Sequence, residues 1–178
     1  MTGHNHHHHH ESRTLRACLL VLSDKGSRGE REDTSGPALA EFLGERGVEV
    51  VTLDILPDEK DQIAEQLTAW ADGGMCDLVV TCGGTGVSPR DVTPEATRDV
   101  IDRELPGFGE RMRSASLEKS PHAIVSRAIA GIRAGCLIIN LPGSPRAALE
   151  NLDAVWGAVP HTVAKLQGDM TDCAPADD

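Results

Sequence analysis

The tetrapeptide Gly83-Gly84-Thr85-Gly86 directly follows an apolar stretch of the chain. Glycines permit positive φ angles and let a ligand approach bare backbone amides. Successive N–H groups at the end of a strand form a concave site for anions such as phosphates. The tetrapeptide lacks the ending of a Walker A loop and the spacing of a GxGxxG fingerprint. Because it is equally typical of a structural turn, it indicates an anion site only together with its neighbours.

Two acidic residues are placed to complement such an anion site. Asp91 lies five residues beyond Gly86, and Asp58 follows a second apolar stretch. Mg²⁺ takes hard oxygen ligands together with substrate phosphates, so paired carboxylates beside a phosphate site suit this ion. Each acid also has a structural interpretation, because Asp58 can cap the helix after it and Asp91 can cap the turn before Thr93. Together they predict a Mg²⁺ site.

Two further segments carry groups suited to polar ligands. The loop 23–36 offers two hydroxyls and an acid to a polar heterocycle or a phosphate, contributed by Ser23, Asp24 and Ser27. The segment Pro142-Gly143-Ser144 places backbone amides and a hydroxyl at a helix N-terminus, which is a favourable position for an anion. The alternative interpretations are structural, a solvated loop for 23–36 and a capped helix for 142–144.

The elements that position these groups alternate along the chain. Continuous apolar runs predict buried strands at 15–22, 48–56, 77–82, 124–132 and 136–141. Helical spacing and capping signals predict helices at 37–47, 58–72, 107–117 and 144–159, and another that begins at Thr93 with its hydroxyl as N-cap. The alternation predicts an α/β fold, a three-layer α/β/α domain with a mainly parallel central sheet. Ligands bind at the carboxyl ends of such strands. We therefore expect the four segments that leave these ends to converge there, namely 23–36, 57–58, 83–91 and 142–144.

Charge and composition exclude several classes of function. The 178 residues carry a net charge of -11 and only 2% aromatic residues, whereas nucleic-acid binding needs clustered cations and aromatic platforms. The five cysteines form no CxxC pair, which argues against a zinc site or a disulfide framework. There is no apolar run long enough for a bilayer and no export signal. We therefore expect no nucleic-acid or membrane partner and a cytoplasmic location.

Both ends of the chain are expected to lie outside the domain. Residues 1–13 contain six histidines and look like an expression tag, with a native metal-binding tract as the alternative. Residues 169–178 form an acidic C-terminal tail. One domain is then expected over 14–168, a length that supports a single continuous core.

Residues 81–97 resemble the signature of the molybdopterin-binding family, which includes bacterial MogA and MoaB and the G domains of gephyrin. Further family motifs follow in the expected order at 22–27, 33–37, 56–59 and 140–143. The resemblance covers about 15–168, which is nearly the whole untagged chain. Residues 104–113 look like the adenylyltransferase branch, that of MogA.

The resemblance implies an enzyme of molybdenum cofactor biosynthesis, a nucleotidyltransferase that uses Mg-ATP to transfer AMP to the phosphate of molybdopterin and releases pyrophosphate. Asp58 and Asp91 would be its essential acids and metal ligands, and Arg90 would hold remaining phosphate charge. The segments 83–86 and 142–144 would line the binding site. The family also implies a homotrimer and a downstream molybdenum-insertion (MoeA-like) protein. Lys25 stands where many relatives have Arg, and this exchange alters a bidentate phosphate contact.

Two other functions remain open at this point. A non-catalytic molybdopterin-binding carrier of the MoaB type would share the fold, although the presence of both Asp58 and Asp91 disfavours it. A nucleotide-processing hydrolase related to the competence-damage proteins shares the fold by analogy only. Such a protein uses an additional catalytic domain, which 178 residues are too few to supply.

Overall fold

Residues 13–169, the part of the chain that the computed structural model describes, form a six-stranded sheet with helices on both faces. The strands are β1 (Arg16–Leu22), β2 (Glu49–Leu56), β3 (Leu78–Cys82), β4 (Arg103–Glu104), β5 (Ala130–Arg133) and β6 (Cys136–Leu141). The helices are α1 (Asp24–Ser27), α2 (Ser35–Glu45), α3 (Lys60–Asp72), α4 (Thr93–Val100), α5 (Pro106–Leu117), α6 (Pro145–Trp156) and α7 (Val159–Leu166). A 3-10 helix, Pro121–Val125, precedes β5. Over 13–169, no helix is both long and apolar enough to cross a bilayer.

The strand order is β2-β1-β3-β6-β5-β4. The first four strands are parallel to one another, and β5 runs antiparallel to both of its neighbours. All five residues of the central strand β3 are buried, as expected for a parallel strand covered by helices on both faces. The predicted α/β fold with a mainly parallel sheet is confirmed.

Each face of the sheet has its own core. Residues such as Leu19, Val80 and Ile139 point to one face, where they pack with α2, α5, α6 and α7. Their neighbours in sequence point to the other face and pack with α3 and α4. Cys18, Cys76 and Cys136 lie in the second core as buried free thiols. These three cysteines therefore pack as small apolar side chains.

The loop after β1 and the entry to α3 differ from the prediction. Residues 23–36 are not all loop, because Ser23 Oγ accepts a hydrogen bond from the Gly26 N–H at 3.0 Å and starts the one-turn helix α1. Asp58 does not cap α3, which begins two residues later at Lys60. The Asp58 backbone N–H instead donates to the Asp24 carboxylate, which holds residue 58 outside the helix.

Three further boundaries were wrong. Thr93 is the first residue of α4 rather than its N-cap, because its hydroxyl donates to the Gly83 carbonyl. The predicted helix 144–159 is two helices, since Pro160 cannot donate to a carbonyl and its ring collides with the preceding turn. In the predicted strand 124–132, residues 124 and 125 belong to the 3-10 helix and the strand begins only at Ala130. The predicted tag, except Arg13, and the predicted tail, except Asp169, lie outside the described residues.

A buried hydrogen-bond network joins β3, β6 and α4. Asn140, which is fully buried on β6, donates from Nδ2 to Thr81 Oγ1 at 3.0 Å and to Thr97 Oγ1 at 2.9 Å. The Thr97 hydroxyl in turn donates to the Thr93 carbonyl at 2.9 Å. A buried polar group that is fully paired fixes one arrangement of its neighbours. The network therefore sets where α4 begins relative to the carboxyl end of the sheet.

We predict that Asn140→Ala lowers the free energy of unfolding by roughly 2–4 kcal/mol, because it leaves two buried hydroxyls without their donor and opens a small cavity. Urea denaturation measures the change. Gln62→Ala, at an exposed position of α3, serves as the control and should stay within about 0.5 kcal/mol of the unsubstituted protein. Equal effects of the two substitutions would contradict the role given to the network.

Candidate functional site

A cavity of about 590 Å³ lies at the carboxyl ends of β1, β2, β3 and β6. All four predicted segments contribute to its wall, the loop 23–36 with residues 23–26 and 31–35, and Pro145 also lines it. This is the edge of a parallel sheet at which ligands bind, and the volume is in the range of small-molecule sites. The predicted convergence of the segments is confirmed, while the roles of their residues stay predictions.

The predicted site residues divide into two groups. Those that line the cavity are Ser23, Asp24, Asp58, Gly83, Gly84, Asp91, Gly143 and Ser144. Those outside its wall are Ser27, Thr85, Gly86, Arg90 and Pro142. Ser27 donates from Oγ to the Asp24 carbonyl, and the Pro142 carbonyl accepts from Cys82 Sγ at 3.1 Å. These contacts give both residues structural roles at the rim.

Asp24 and Asp58 bind each other's backbone. The Asp24 N–H donates to Asp58 Oδ2 at 3.2 Å, and the Asp58 N–H donates to Asp24 Oδ1 at 3.0 Å. This reciprocal pair joins the loop after β1 to the loop after β2. It also brings two carboxylates together, which raises the free energy of the doubly ionised state.

The carboxyl group of Asp58 is electrostatically unfavourable as an anion. Burial raises its pKa above the usual range, and the carboxylates of Asp24 and Asp91 raise it further. The Asp24 N–H and the more distant Arg90 lower the pKa, but the net direction is upward. A cation bound here would reverse the dominant effects.

Arg90 is already paired with carboxylates. Its Nε and Nη2 contact the two oxygens of Asp24 at 3.0 and 2.8 Å, and Nη2 also lies 2.8 Å from Glu59 Oε1. This bidentate contact is the main cause that holds the pKa of Asp24 below its ordinary value. To hold phosphate charge, Arg90 would have to leave these carboxylates, and that role stays a prediction.

The tetrapeptide 83–86, called the glycine segment below, presents N–H groups on one side because its carbonyls accept hydrogen bonds on the other. Gly83 O accepts from Thr93 Oγ1 at 2.8 Å, and Gly84 O accepts from the Thr93 N–H at 3.1 Å. In a trans peptide the C=O and the next N–H point in opposite directions. The N–H groups of Gly84 and Thr85 therefore point away from Thr93.

The predicted nest of four amides has three free members. The Gly83 N–H donates to the Leu141 carbonyl at 3.0 Å, so this amide belongs to the sheet edge. Within residues 13–169, the N–H groups of Gly84, Thr85 and Gly86 have no acceptor. Unpaired amides in succession are the groups that bind a phosphate oxygen.

Asp33 and Ser35 were not predicted from the sequence. The Asp33 carboxylate accepts from the Ser35 and Gly36 N–H groups at 2.9 and 3.1 Å, and Ser35 Oγ donates to the Gly143 carbonyl at 3.1 Å. Asp33 therefore accepts from the first amides of α2, and Ser35 ties the helix to the loop after β6. An acid just before a helix is a recognisable capping signal, but the helix was expected to begin near Pro37.

Arg31 and Arg127 were not predicted either. Arg31 lines the cavity and lies 3.4 Å from Ser23 Oγ, yet nothing in its sequence context separates it from the other charged residues of the loop. Arg127 contacts the glycine segment, and its backbone N–H donates to the Thr85 carbonyl at 2.8 Å. Because Arg127 lies 36 residues beyond Asp91 in the chain, no local sequence pattern connects it to the segment that it contacts.

Residues 18–161 match the family described as a probable molybdopterin binding domain. The chain belongs to this family. It is 47% identical over 157 residues to the molybdopterin adenylyltransferase of Helicobacter pylori strain J99, covering 87% of this chain and 89% of that protein. It is 41% identical over 176 residues to the molybdopterin adenylyltransferase of Escherichia coli K12, covering 91% and 90%. The crystal structure of the molybdopterin biosynthesis enzyme MoaB from Thermus thermophilus is similar with a TM-score of 0.83 and 47% identity, over 88% of this chain and 98% of that one.

The cavity of this molybdopterin-binding domain has an acidic wall. Two of its lining side chains are cationic, Lys25 and Arg31, whereas five are acidic: Asp24, Glu32, Asp33, Asp58 and Asp91. Over residues 13–169, no three His, Cys, Asp or Glu side chains are grouped so as to hold a metal ion. Mg²⁺ needs no such cage, since it keeps several waters and uses one or two carboxylates with substrate phosphates. Asp58 and Asp91 fit that requirement.

We predict that Gly84→Ala destabilises the protein more than Gly47→Ala does. Both glycines have positive φ, +67° and +74°, so both substitutions carry the backbone cost of about 1 kcal/mol. A Cβ at Gly84 would also overlap Thr93 Oγ1 and lie 3.1 Å from Asp58 Oδ1, whereas a Cβ at Gly47 meets nothing within 4 Å. Thermal unfolding of the two variants tests this, and equal losses would show that the close approach at Gly84 does not matter.

We predict opposite pH-dependent effects for Asp58→Asn and Asp24→Asn in protein free of divalent metal. The folded pKa of Asp58 is raised, so stability falls as pH rises from its unfolded pKa through its folded pKa, and the ionised group stays unfavourable above that window. Asn removes this cost, and Asp58→Asn should raise the unfolding temperature at pH 7.

The pKa of Asp24 is lowered, so its contribution is present above the unfolded pKa and is lost as pH falls through the folded pKa. Asp24→Asn should therefore lower the unfolding temperature at pH 7, and the difference should shrink on acidification. Thermal unfolding between pH 2.5 and pH 8 measures both effects, because the window for Asp24 lies below its unfolded pKa of about 3.9. A lower unfolding temperature for Asp58→Asn at pH 7 would contradict the electrostatic account of the site.

Proposed function

We propose that this protein is a molybdopterin adenylyltransferase of molybdenum cofactor biosynthesis, which transfers AMP from Mg-ATP to the phosphate of molybdopterin and releases pyrophosphate. The observation that carries the proposal is that Asp58, Asp91 and Gly84, whose N–H has no acceptor within residues 13–169, line one cavity. The curated relatives at 47% and 41% identity, which have this name, support the choice of substrate and reaction.

The reaction joins two polyanions. An oxygen of the molybdopterin phosphate attacks the α-phosphorus of ATP, a new P–O bond forms, and the bond from that phosphorus to the bridging oxygen of pyrophosphate breaks. Charge neutralisation and alignment dominate the barrier of such a step. Bound Mg²⁺ supplies positive charge to the phosphate oxygens and to the departing pyrophosphate.

The residues of the cavity divide the remaining work. Asp58 and Asp91 would hold the metal, and the neighbouring carboxylates that help to raise the pKa of Asp58 would favour a cation there. The free N–H of Gly84, which lines the cavity, binds a phosphate oxygen. The exposed cations Lys25 and Arg31 attract the substrates, and the hydroxyl of Ser23 is available to orient them.

A non-catalytic molybdopterin-binding carrier is the second candidate. The family description, a probable molybdopterin binding domain, states binding and no reaction, which supports this alternative. Pyrophosphate release that depends on both ATP and molybdopterin distinguishes the two functions. The homotrimer, the MoeA-like insertion partner and the cytoplasmic location stay predictions.

We predict that Asp58→Asn and Asp91→Asn each lower the rate of AMP transfer by about 10²-fold or more, since each removes a charge that acts on the reacting phosphates. Pyrophosphate release with Mg-ATP and molybdopterin measures the rate, and circular dichroism confirms folding. Asp61→Asn, an exposed acid in the first turn of α3, is the matched control and should keep the full rate. Folded Asp58 and Asp91 variants with unchanged rates would refute the assignment.

A further inference from the structure

Arg127 contacts both ends of the exposed segment between Gly86 and Asp91. Its Nε donates to the Gly86 carbonyl at 2.7 Å, and its Nη2 donates to the Asp91 carbonyl at 2.7 Å. Its backbone N–H also donates to the Thr85 carbonyl at 2.8 Å. The residues between these contacts, 87–90, are exposed. Arg127 therefore closes the base of this loop.

The guanidinium is fixed in turn by α4. Arg127 Nη1 forms an ion pair with Glu95 Oε1, which lies in the first turn of that helix. A planar guanidinium with five N–H donors can bind two carbonyls and a carboxylate at once. Lysine has no such planar fork and cannot reproduce the set of directions.

The contacts orient the amides of the glycine segment. Because a trans peptide directs its C=O and the following N–H oppositely, the bonds to Thr85 O and Gly86 O turn the N–H groups of Gly86 and Val87 away from Arg127. Thr93 holds the carbonyls of Gly83 and Gly84 in the same manner. Arg127 and Thr93 thus hold four consecutive carbonyls of this segment.

We propose that Arg127 is a positioning residue, which holds the glycine segment next to Gly84 and the metal-binding Asp91 in place at the cavity without contacting substrate. This inference rests on the proposed function, because it assigns Asp91 and the amides to that reaction. Arg127 itself does not line the cavity at the carboxyl ends of the strands, so it acts through the backbone that it holds.

Arg127→Lys and Arg127→Ala test the proposal, with Arg113→Lys and Arg113→Ala as matched controls. Arg113 also donates to backbone carbonyls, those of Ser126 and Ala128, but it does not contact the loop. We expect Arg127→Lys to lower kcat for AMP transfer about 10–100-fold, the usual effect of losing a group that orients a metal ligand. Guanidinium ion should partly restore the rate of Arg127→Ala, and Arg113 variants of similar thermal stability should keep kcat.

Amide hydrogen exchange across 84–92 gives a second readout that does not depend on activity. We expect faster exchange in Arg127→Lys than in Arg113→Lys. Unchanged exchange, or a folded Arg127→Lys variant with the full kcat, overturns the proposal. If the unsubstituted protein transfers no AMP, the proposed function fails, and the exchange rates alone decide whether Arg127 holds the loop.

Discussion

The site depends on carbonyl groups that are held away from the cavity. When a peptide C=O accepts a hydrogen bond, the next N–H points to the opposite side. This geometry recurs along the glycine segment. Thr93 holds two of its carbonyls. Thr93 is itself placed by the Thr97 and Asn140 network. The orientation of the unpaired Gly84 and Thr85 amides therefore originates from hydrogen bonds within the core.

The side chains at this edge of the sheet carry more negative charge than positive charge. Asp24 has Arg90 as its partner, whereas Asp58 is partly buried with carboxylates on two sides. An arrangement that raises the free energy of a site in the absence of its ligand is common where that ligand supplies the missing charge. The acidic wall, which disfavours a bare polyanion, suits one that arrives with Mg²⁺.

The sequence predicted the four parallel strands well, because apolar runs such as 77–82 are short, bounded by turn residues and rich in β-branched residues. It also placed Asp58, Asp91 and the glycines at one edge, since parallel strands bring their carboxyl ends together. The sequence did not predict the contacts of Arg90 and Arg127, because their partners depend on side-chain geometry between distant segments. The start of α4 at Thr93 was missed for the same reason, since a tertiary hydrogen bond replaced the local cap.

The most direct test of the central claim follows isotopic label from ATP in the unsubstituted protein. With Mg²⁺ and molybdopterin present, the account predicts that label from the α-phosphate appears on the pterin and that label from the γ-phosphate appears only in pyrophosphate. Transfer of the γ-phosphate to the pterin, or binding of both ligands with no transfer of α-label, would contradict it.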